Sequence, residues 1–301
     1  LQLKLKSKFQ ISLGSIAINV DPSISYLNNK FASEYYSNET SSFASGISKI
    51  NLFVSSGANR FKFKAGAAAV YGFGDDFIEK GLFLLPLLDL SYKPKKGNLT
   101  PFLKLSGDFN QNNFRSFSDE NPFVAPAIIL KNTEVPYAVK LGTRTKLVSG
   151  WEFTMNAYYQ KANNAPFFRN FGFDNSNEQF IAFRYGNSFE VIYGELEQFG
   201  FDTSVLAAFK NGGSLSLQAH WRDYSVEETE ALNMPELQFD FKANIKIFNK
   251  IFIQPNIIFI GARKNSYRER FLVQNPQDAP FMEADLPSFV NAEVKATYQL
   301  T

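Results

Sequence analysis

Residues 237–247 read Leu237-Gln238-Phe239-Asp240-Phe241-Lys242-Ala243-Asn244-Ile245-Lys246-Ile247, apolar at every odd position and polar at every even one. Successive side chains of an extended chain point to opposite faces, so a period of two gives a strand with one apolar and one polar face. The same pattern opens the chain, where Leu1, Leu3, Leu5, Phe9, Ile11 and Leu13 alternate with Gln2, Lys4, Lys6, Lys8, Gln10 and Ser12. It returns as Phe61, Phe63, Ala65, Ala67 and Ala69 against Arg60, Lys62, Lys64 and Gly66. It returns again as Tyr137, Val139, Leu141 and Leu147 against Lys140, Arg144 and Lys146. Segments 151–159, 215–221 and 290–300 follow suit, and no segment carries a convincing helical period.

Length separates these strands from ordinary ones. They keep phase for 10 to 13 residues, whereas strands of soluble sheets run to ~5–6. At ~3.3 Å per residue the longest reach ~43 Å. Tilted by ~45° they cover ~30 Å, the hydrocarbon thickness of a bilayer. A spanning helix needs ~18 consecutive apolar residues; the richest run, 81–90, is broken by Pro86 and ended by Asp89. The chain opens without a signal peptide or an initiator Met, so it is expected to start as mature protein or mid-protein.

Strands are expected near 1–13, 16–26, 47–56, 60–73, 82–92, 99–109, 137–147, 151–160, 188–209 (kinked at Gly194 or Gly200), 214–224, 237–247, 251–263 and 289–300. Short links at Gly14-Ser15, Gly57-Ala58-Asn59, 93–98, Val148-Ser149-Gly150, 210–213 and Phe248-Asn249-Lys250 suit tight hairpins. Long polar links at 27–46, 74–81, 110–136, 161–187, 225–236 and 264–288 alternate with them. Outer-membrane barrels have short periplasmic turns and long extracellular loops, so the alternation also orients the chain. The expected fold is all-β, a transmembrane antiparallel up-and-down β-barrel over residues 1–301, with about 13 strands in this chain and 14 or more in the full protein. Tyr92, Tyr137, Trp151, Tyr158, Tyr159, Trp221 and Tyr224 fall near expected strand ends, where amphipathic rings settle at a lipid–water boundary. Pro136, Pro235 and Pro287 stand at loop-to-strand entries, where a missing N–H is tolerated.

Composition narrows the function. Lys+Arg number 31 against 29 Asp+Glu, a formal charge of +2 that gives no bulk argument for nucleic acid. With no Cys there is no disulfide framework, thiol nucleophile or Cys-ligated metal, and one histidine excludes a multi-His site within the chain. His220 faces the polar side beside Gln218 and Arg222, but nothing nearby selects the Ser that a triad needs. Gly72-Phe73-Gly74 is followed by no helix, so no nucleotide cofactor is indicated. No catalytic residue, metal or cofactor is assigned, and the chain is read as a non-enzyme.

If the apolar face meets lipid, the polar face lines the lumen. Lys6, Lys8, Arg60, Lys62, Lys64, Lys104, Arg144, Lys146, Lys242 and Lys246 then project inward, mostly in the periplasmic half. The long loops are acidic, with Glu34, Glu39, Asp75, Asp76, Glu79, Asp119, Glu120, Glu134, Asp174, Glu178, Glu227, Glu228, Glu230, Glu269, Asp278, Glu283 and Asp285. A basic lining attracts an anionic solute or the acidic surface of something seated in the barrel; the plainer alternative is solvated charge and salt bridges. The candidate ligand contacts are Lys62, Lys64, Arg144, Lys146, Lys242 and Lys246.

Asn121-Pro122-Phe123, Gly186-Asn187-Ser188-Phe189, Tyr193, Asn233-Met234-Pro235-Glu236-Leu237, Gly261-Ala262-Arg263-Lys264 and Leu286-Pro287-Ser288-Phe289-Val290, in this order, resemble the C-terminal barrel of TonB-dependent outer-membrane receptors of Gram-negative bacteria. The resemblance is best over residues 100–301. It implies uptake of scarce ligands such as metal chelates, cobalamin or glycans, driven by the TonB system. The family's plug and TonB-contacting box are not visible here, and its barrels close with further strands, so a partial chain is expected, with any plug upstream. The leading reading is a receptor or transporter barrel with ligand contacts in loops and lumen. The alternative is a plugless receptor-like barrel serving as a structural subunit of a larger outer-membrane complex. A porin, a membrane hydrolase and a soluble β-rich protein follow.

Overall fold

The computed structural model describes residues 1–32, 41–57, 60–74, 81–126, 128–147, 150–170, 186–227, 230–247, 250–268 and 280–299. Its strands are β1 (Gln2–Lys6), β2 (Phe9–Leu13), β3 (Ile16–Phe31), β4 (Ser41–Ser56), β5 (Phe61–Gly74), β6 (Gly81–Tyr92), β7 (Leu99–Asn110), β8 (Thr133–Lys146), β9 (Trp151–Asn170), β10 (Phe189–Ala208), β11 (Ser214–Val226), β12 (Leu237–Ile247), β13 (Ile251–Ile260), β14 (Arg263–Arg268), β15 (Phe281–Leu286) and β16 (Phe289–Tyr298); helix α1 (Phe114–Glu120) lies between β7 and β8. One 14-stranded sheet runs antiparallel in chain order from β1 and β2 at one edge to β16 at the other, and β14–β15 form a separate hairpin. No described helix is long and apolar enough to cross a membrane, which says nothing about strands.

β1 and β2 are one pass of chain. Both keep the same register on β3, with Lys6 opposite Ser23 and Phe9 opposite Val20. The interruption faces Pro22, which has no N–H to give; only the bond from Ser7 N to Pro22 O, 3.0 Å, remains. The sheet is therefore the wall of an up-and-down barrel with 13 passes, the number expected.

Register converts alternation into two faces. Ile11, Ile18, Val54, Ala65, Leu88, Leu105, Val139, Tyr159 and Phe199 stand directly opposite one another across nine neighbouring strands, every one apolar. One residue along, Ser55, Lys64, Asp89, Lys104, Lys140, Tyr158, Gly200 and Arg222 form the adjacent row on the other face. The polar face is the concave one. Lys49 Nζ on β4 reaches Asp108 Oδ1 on β7 at 2.9 Å, three strands away, which only inward side chains can do.

On the convex face Leu52, Leu82, Leu84, Leu141 and Ile245 are 46–73% exposed. A continuous apolar surface of this extent is a binding face in a water-soluble protein and a lipid face in a barrel. Its rim rings are aromatic. Trp151 and Phe209 meet edge-on at 6.1 Å at the short-turn end. Tyr137 and Tyr159 stack at 6.0 Å, and Phe201 stacks on Trp221 at 5.8 Å, further along. From Trp151 to Tyr159 is ~26 Å of strand, close to the apolar band of an outer-membrane barrel. Tyr158 and Tyr224 do not belong to these rings, because they share the inward face with Arg222.

Several expected boundaries shift. β3, β4 and β9 run on to Phe31, from Ser41 and to Asn170, extending two ribbons beyond the membrane band. β10 is irregular at Gly194, not Gly200, where the register slips between Gly194 and Leu196. β8 begins at Thr133, so Pro136 sits inside it, at the register break between Glu134 and Tyr137 where no ladder N–H is needed. Helix α1 and the β14–β15 hairpin lie within stretches expected to be loops. The helix is set by Asn113, whose side chain accepts from Ser116 N at 2.9 Å while Ser116 Oγ accepts from Asn113 N at 3.3 Å.

Candidate functional site

At the long-loop end the segment after β7 folds across the inward face. Gln111 Nε2 donates to Ser45 Oγ (2.8 Å) on β4, and Ser25 Oγ on β3 donates to Gln111 Oε1 (2.8 Å). Phe114 meets Phe31 edge-on at 5.6 Å. In the other direction Phe117, Val124, Ile128 and Leu130 bury themselves against Phe168 and Val191 of β9 and β10. Tyr193 Oη accepts from Lys131 N and donates to Ile129 O, both at 3.0 Å. This segment was expected as a long polar link. Buried Phe117, the packing of Phe114 and the paired backbone make it a tie between β3–β4 and β9–β10.

The acids Glu34, Glu39, Asp75, Asp76, Glu79, Asp174, Glu178, Glu228, Glu269 and Asp278 lie outside the described residues. Of the described ones, Glu230 pairs with Lys264 at 3.3 Å and raises its ammonium pKa above the ordinary value. This pair borders a concavity of about 460 Å³ that also takes in Tyr224, Met234, Arg263 and Asp285.

At the short-turn end the inward face holds a pocket of about 410 Å³. Lys62, Lys64 and Arg144 of the expected set line it, joined by Arg60, Lys93 and Lys104. Asp89 is its single acid; Ser91, Thr100 and Phe102 complete the inward lining. Register assembles it: Lys62 stands opposite Ser91, Lys64 opposite Asp89, Asp89 opposite Lys104, and Thr100 opposite Arg144. Asp89 is 3.4 Å from Lys104, and Arg144 turns to Glu152 at 3.2 Å. Lys64 lies 3.7 Å over the Phe53 ring. Among the described residues Arg60, Lys62, Lys64 and Lys93 have no ion pair.

Lys146 stands one row nearer the turn, opposite Glu152. Lys242 and Lys246 are elsewhere. Both lie on β12, Lys242 between Ser216 and Asn256 and Lys246 5.7 Å over the Phe252 ring. The sequence set is thus three pocket residues and three outside it. Lys93 was missed because it sits in a turn, and Asp89 because it was read only as the end of an apolar run.

The wall of β9 to β11 carries a different arrangement. Asp202 accepts from Asn156 Nδ2 (2.9 Å) and from the guanidinium of Arg222, and His220 Nδ1 lies 2.8 Å from its Oδ1. Arg222 also lies over the Tyr158 ring at 5.0 Å. Three partners saturate this carboxylate, and the bond to Asp202 is the only one the His220 side chain makes among the described residues. The geometry is a cross-strand clamp.

No family profile matches the chain, and no curated protein sequence does. Solved structures match over its whole length. The pyoverdine receptor FpvA of Pseudomonas aeruginosa, bound to pyoverdine, superposes with a TM-score of 0.61 at 9% identity, covering 100% of this chain and 46% of that one. The FrpB iron transporter of Neisseria meningitidis gives 0.63 at 8%, covering 97% and 47%. The ferric enterobactin receptor PfeA of P. aeruginosa, a G324V mutant, gives 0.63 at 11%, covering 100% and 46%. The chain spans under half the length of each. At such identities the likeness establishes the fold, that of the barrel wall of TonB-dependent outer-membrane receptors.

Proposed function

We propose that this chain forms the wall of a receptor-type transporter in the outer membrane of a Gram-negative bacterium, passing a ligand from the long-loop side into a polar lumen. The observation that carries the reading is the unbroken apolar row across nine strands, backed one residue away by a charged row on the concave face. A lipid face, a wet interior and the receptor-like fold fit uptake, and Lys62, Lys64 and Arg144 are the lumen contacts proposed for a ligand. Outer-membrane lipid is the constant partner, and energised transport requires the TonB system acting through a plug. The structural neighbours' names speak of ferric siderophores and iron, so ferric chelates are the first ligands to test.

The test compares uptake of labelled ferric chelates by wild-type cells and by cells lacking the gene, with and without a functional TonB. Loss of uptake of one chelate in both mutants is expected. Unchanged uptake of all of them, together with loss of a co-purifying outer-membrane protein, would instead favour the structural-subunit reading.

A further inference from the structure

We infer that the pocket at the short-turn end is a binding site for a small, multiply charged oxyanion. The inference rests on the barrel reading, because only a closed wall with its concave face wet presents this pocket as a lumen site.

The pocket gathers Arg60, Lys62, Lys64, Lys93, Lys104 and Arg144 around one carboxylate, Asp89. Internal pairing accounts for two of these cations, Lys104 on Asp89 and Arg144 on Glu152. The others make no ion pair among the described residues; Lys64, although opposite Asp89, lies over the Phe53 ring. Lys104 stands directly opposite Lys140, and like charges in that position destabilise a sheet. An arrangement that repels itself is explained when something anionic completes it.

The shape selects a small ligand. A volume of about 410 Å³ falls in the range of small-molecule sites, ~300–1,000 Å³. Its donors are of mixed kind: guanidinium forks from Arg60 and Arg144, ammonium groups from the lysines, and hydroxyls of Ser91 and Thr100. Guanidinium suits the paired oxygens of phosphate and carboxylate. Phe102 lies against Gly142, where an added Cβ would come within 2.8 Å of its ring. The pocket is partly exposed, with Lys104 and Arg144 side chains 50% and 54% accessible. Binding there is therefore salt-sensitive.

The test is calorimetric titration of the full protein, purified in detergent and shown by heat-modifiable migration to be folded, with sodium tripolyphosphate and separately with citrate. At low salt, about 50 mM, saturable one-to-one binding of at least one is expected, weakening about tenfold at about 300 mM as the charges are screened. Preference for tripolyphosphate assigns phosphate chemistry, and preference for citrate assigns polycarboxylate chemistry. The double variant Lys62→Gln, Lys93→Gln removes two unpaired cations and lowers affinity by about tenfold or more. The double variant Lys242→Gln, Lys246→Gln, on β12, leaves affinity within about twofold. Absence of saturable binding by folded protein overturns the proposal, as does an equal loss in both variants, which would mean a diffuse basic field. Protein that is never heat-modifiable would instead count against the barrel reading itself.

Discussion

Two stretches of the same lumen wall solve the problem of inward charge differently. On β9 to β12 the inward acids Glu152, Asp202 and Asp240 match the inward cations Arg222, Lys242 and Lys246 in number, and Asp202 alone binds three neighbours, Asn156, His220 and Arg222. On β5 to β8, Lys62, Lys64, Lys104 and Lys140 have Asp89 as the one acid in their rows, and Arg144 reaches across to Glu152 of β9. Both stretches have the same apolar backing and the same period of two, so neither membrane insertion nor alternation requires the difference. The neutralised half reads as self-sufficient structure, and the unbalanced half as a surface awaiting a partner.

The comparison can be broken from outside or from within, and the expected effects descend in that order. Leu88→Lys places a charge on the lipid face between Ala65 and Leu105. It costs ~2–4 kcal/mol, read as a lower urea midpoint for loss of heat-modifiable migration. Asp202→Ala strands the Arg222 guanidinium and the Asn156 amide on the clamped half. Asp202 and Arg222 side chains are only 16% and 14% exposed, and a loss of ~2–3 kcal/mol in the same assay is expected. Asp89→Ala, in the basic half, removes a pair whose members are about half exposed, so it costs under ~1 kcal/mol. Equal losses for the two aspartate variants would erase the contrast. Lys62→Gln shifts stability by no more than ~0.5 kcal/mol, in the stabilising direction at low salt, because it relieves repulsion without losing a pair.

How much of this was legible in the sequence depends on the distance over which each feature is encoded. The two faces were legible, because alternation is a local signal and no inward residue interrupts the outward row from Ile11 to Phe199. Placement around the wall was not. Lys64 and Lys242 look alike in their own strands, yet only strand order separates β5 from β12 and puts one in the pocket and the other outside it. The Asp202–His220 contact was within reach: each lies nine residues from Asn211 in the turn at 210–213, so counting outward along the hairpin pairs them. Helix α1 was beyond reach, since 7 residues are too few to establish a period of 3.6. The β14–β15 hairpin likewise has strands of 6 residues each, too short to stand out within a polar loop.

A chain without cysteine allows the central claim to be tested by single cysteines placed along 237–247. In outer membranes treated with a membrane-impermeant maleimide able to enter the lumen, Gln238→Cys, Asp240→Cys, Lys242→Cys and Asn244→Cys are expected to label. Phe239→Cys, Phe241→Cys, Ala243→Cys and Ile245→Cys are expected to stay unlabelled until the membrane is dissolved. A period of two in the labelling supports a strand with one face in lipid and the other in water. Uniform labelling at all eight positions, with no membrane dependence, would contradict it.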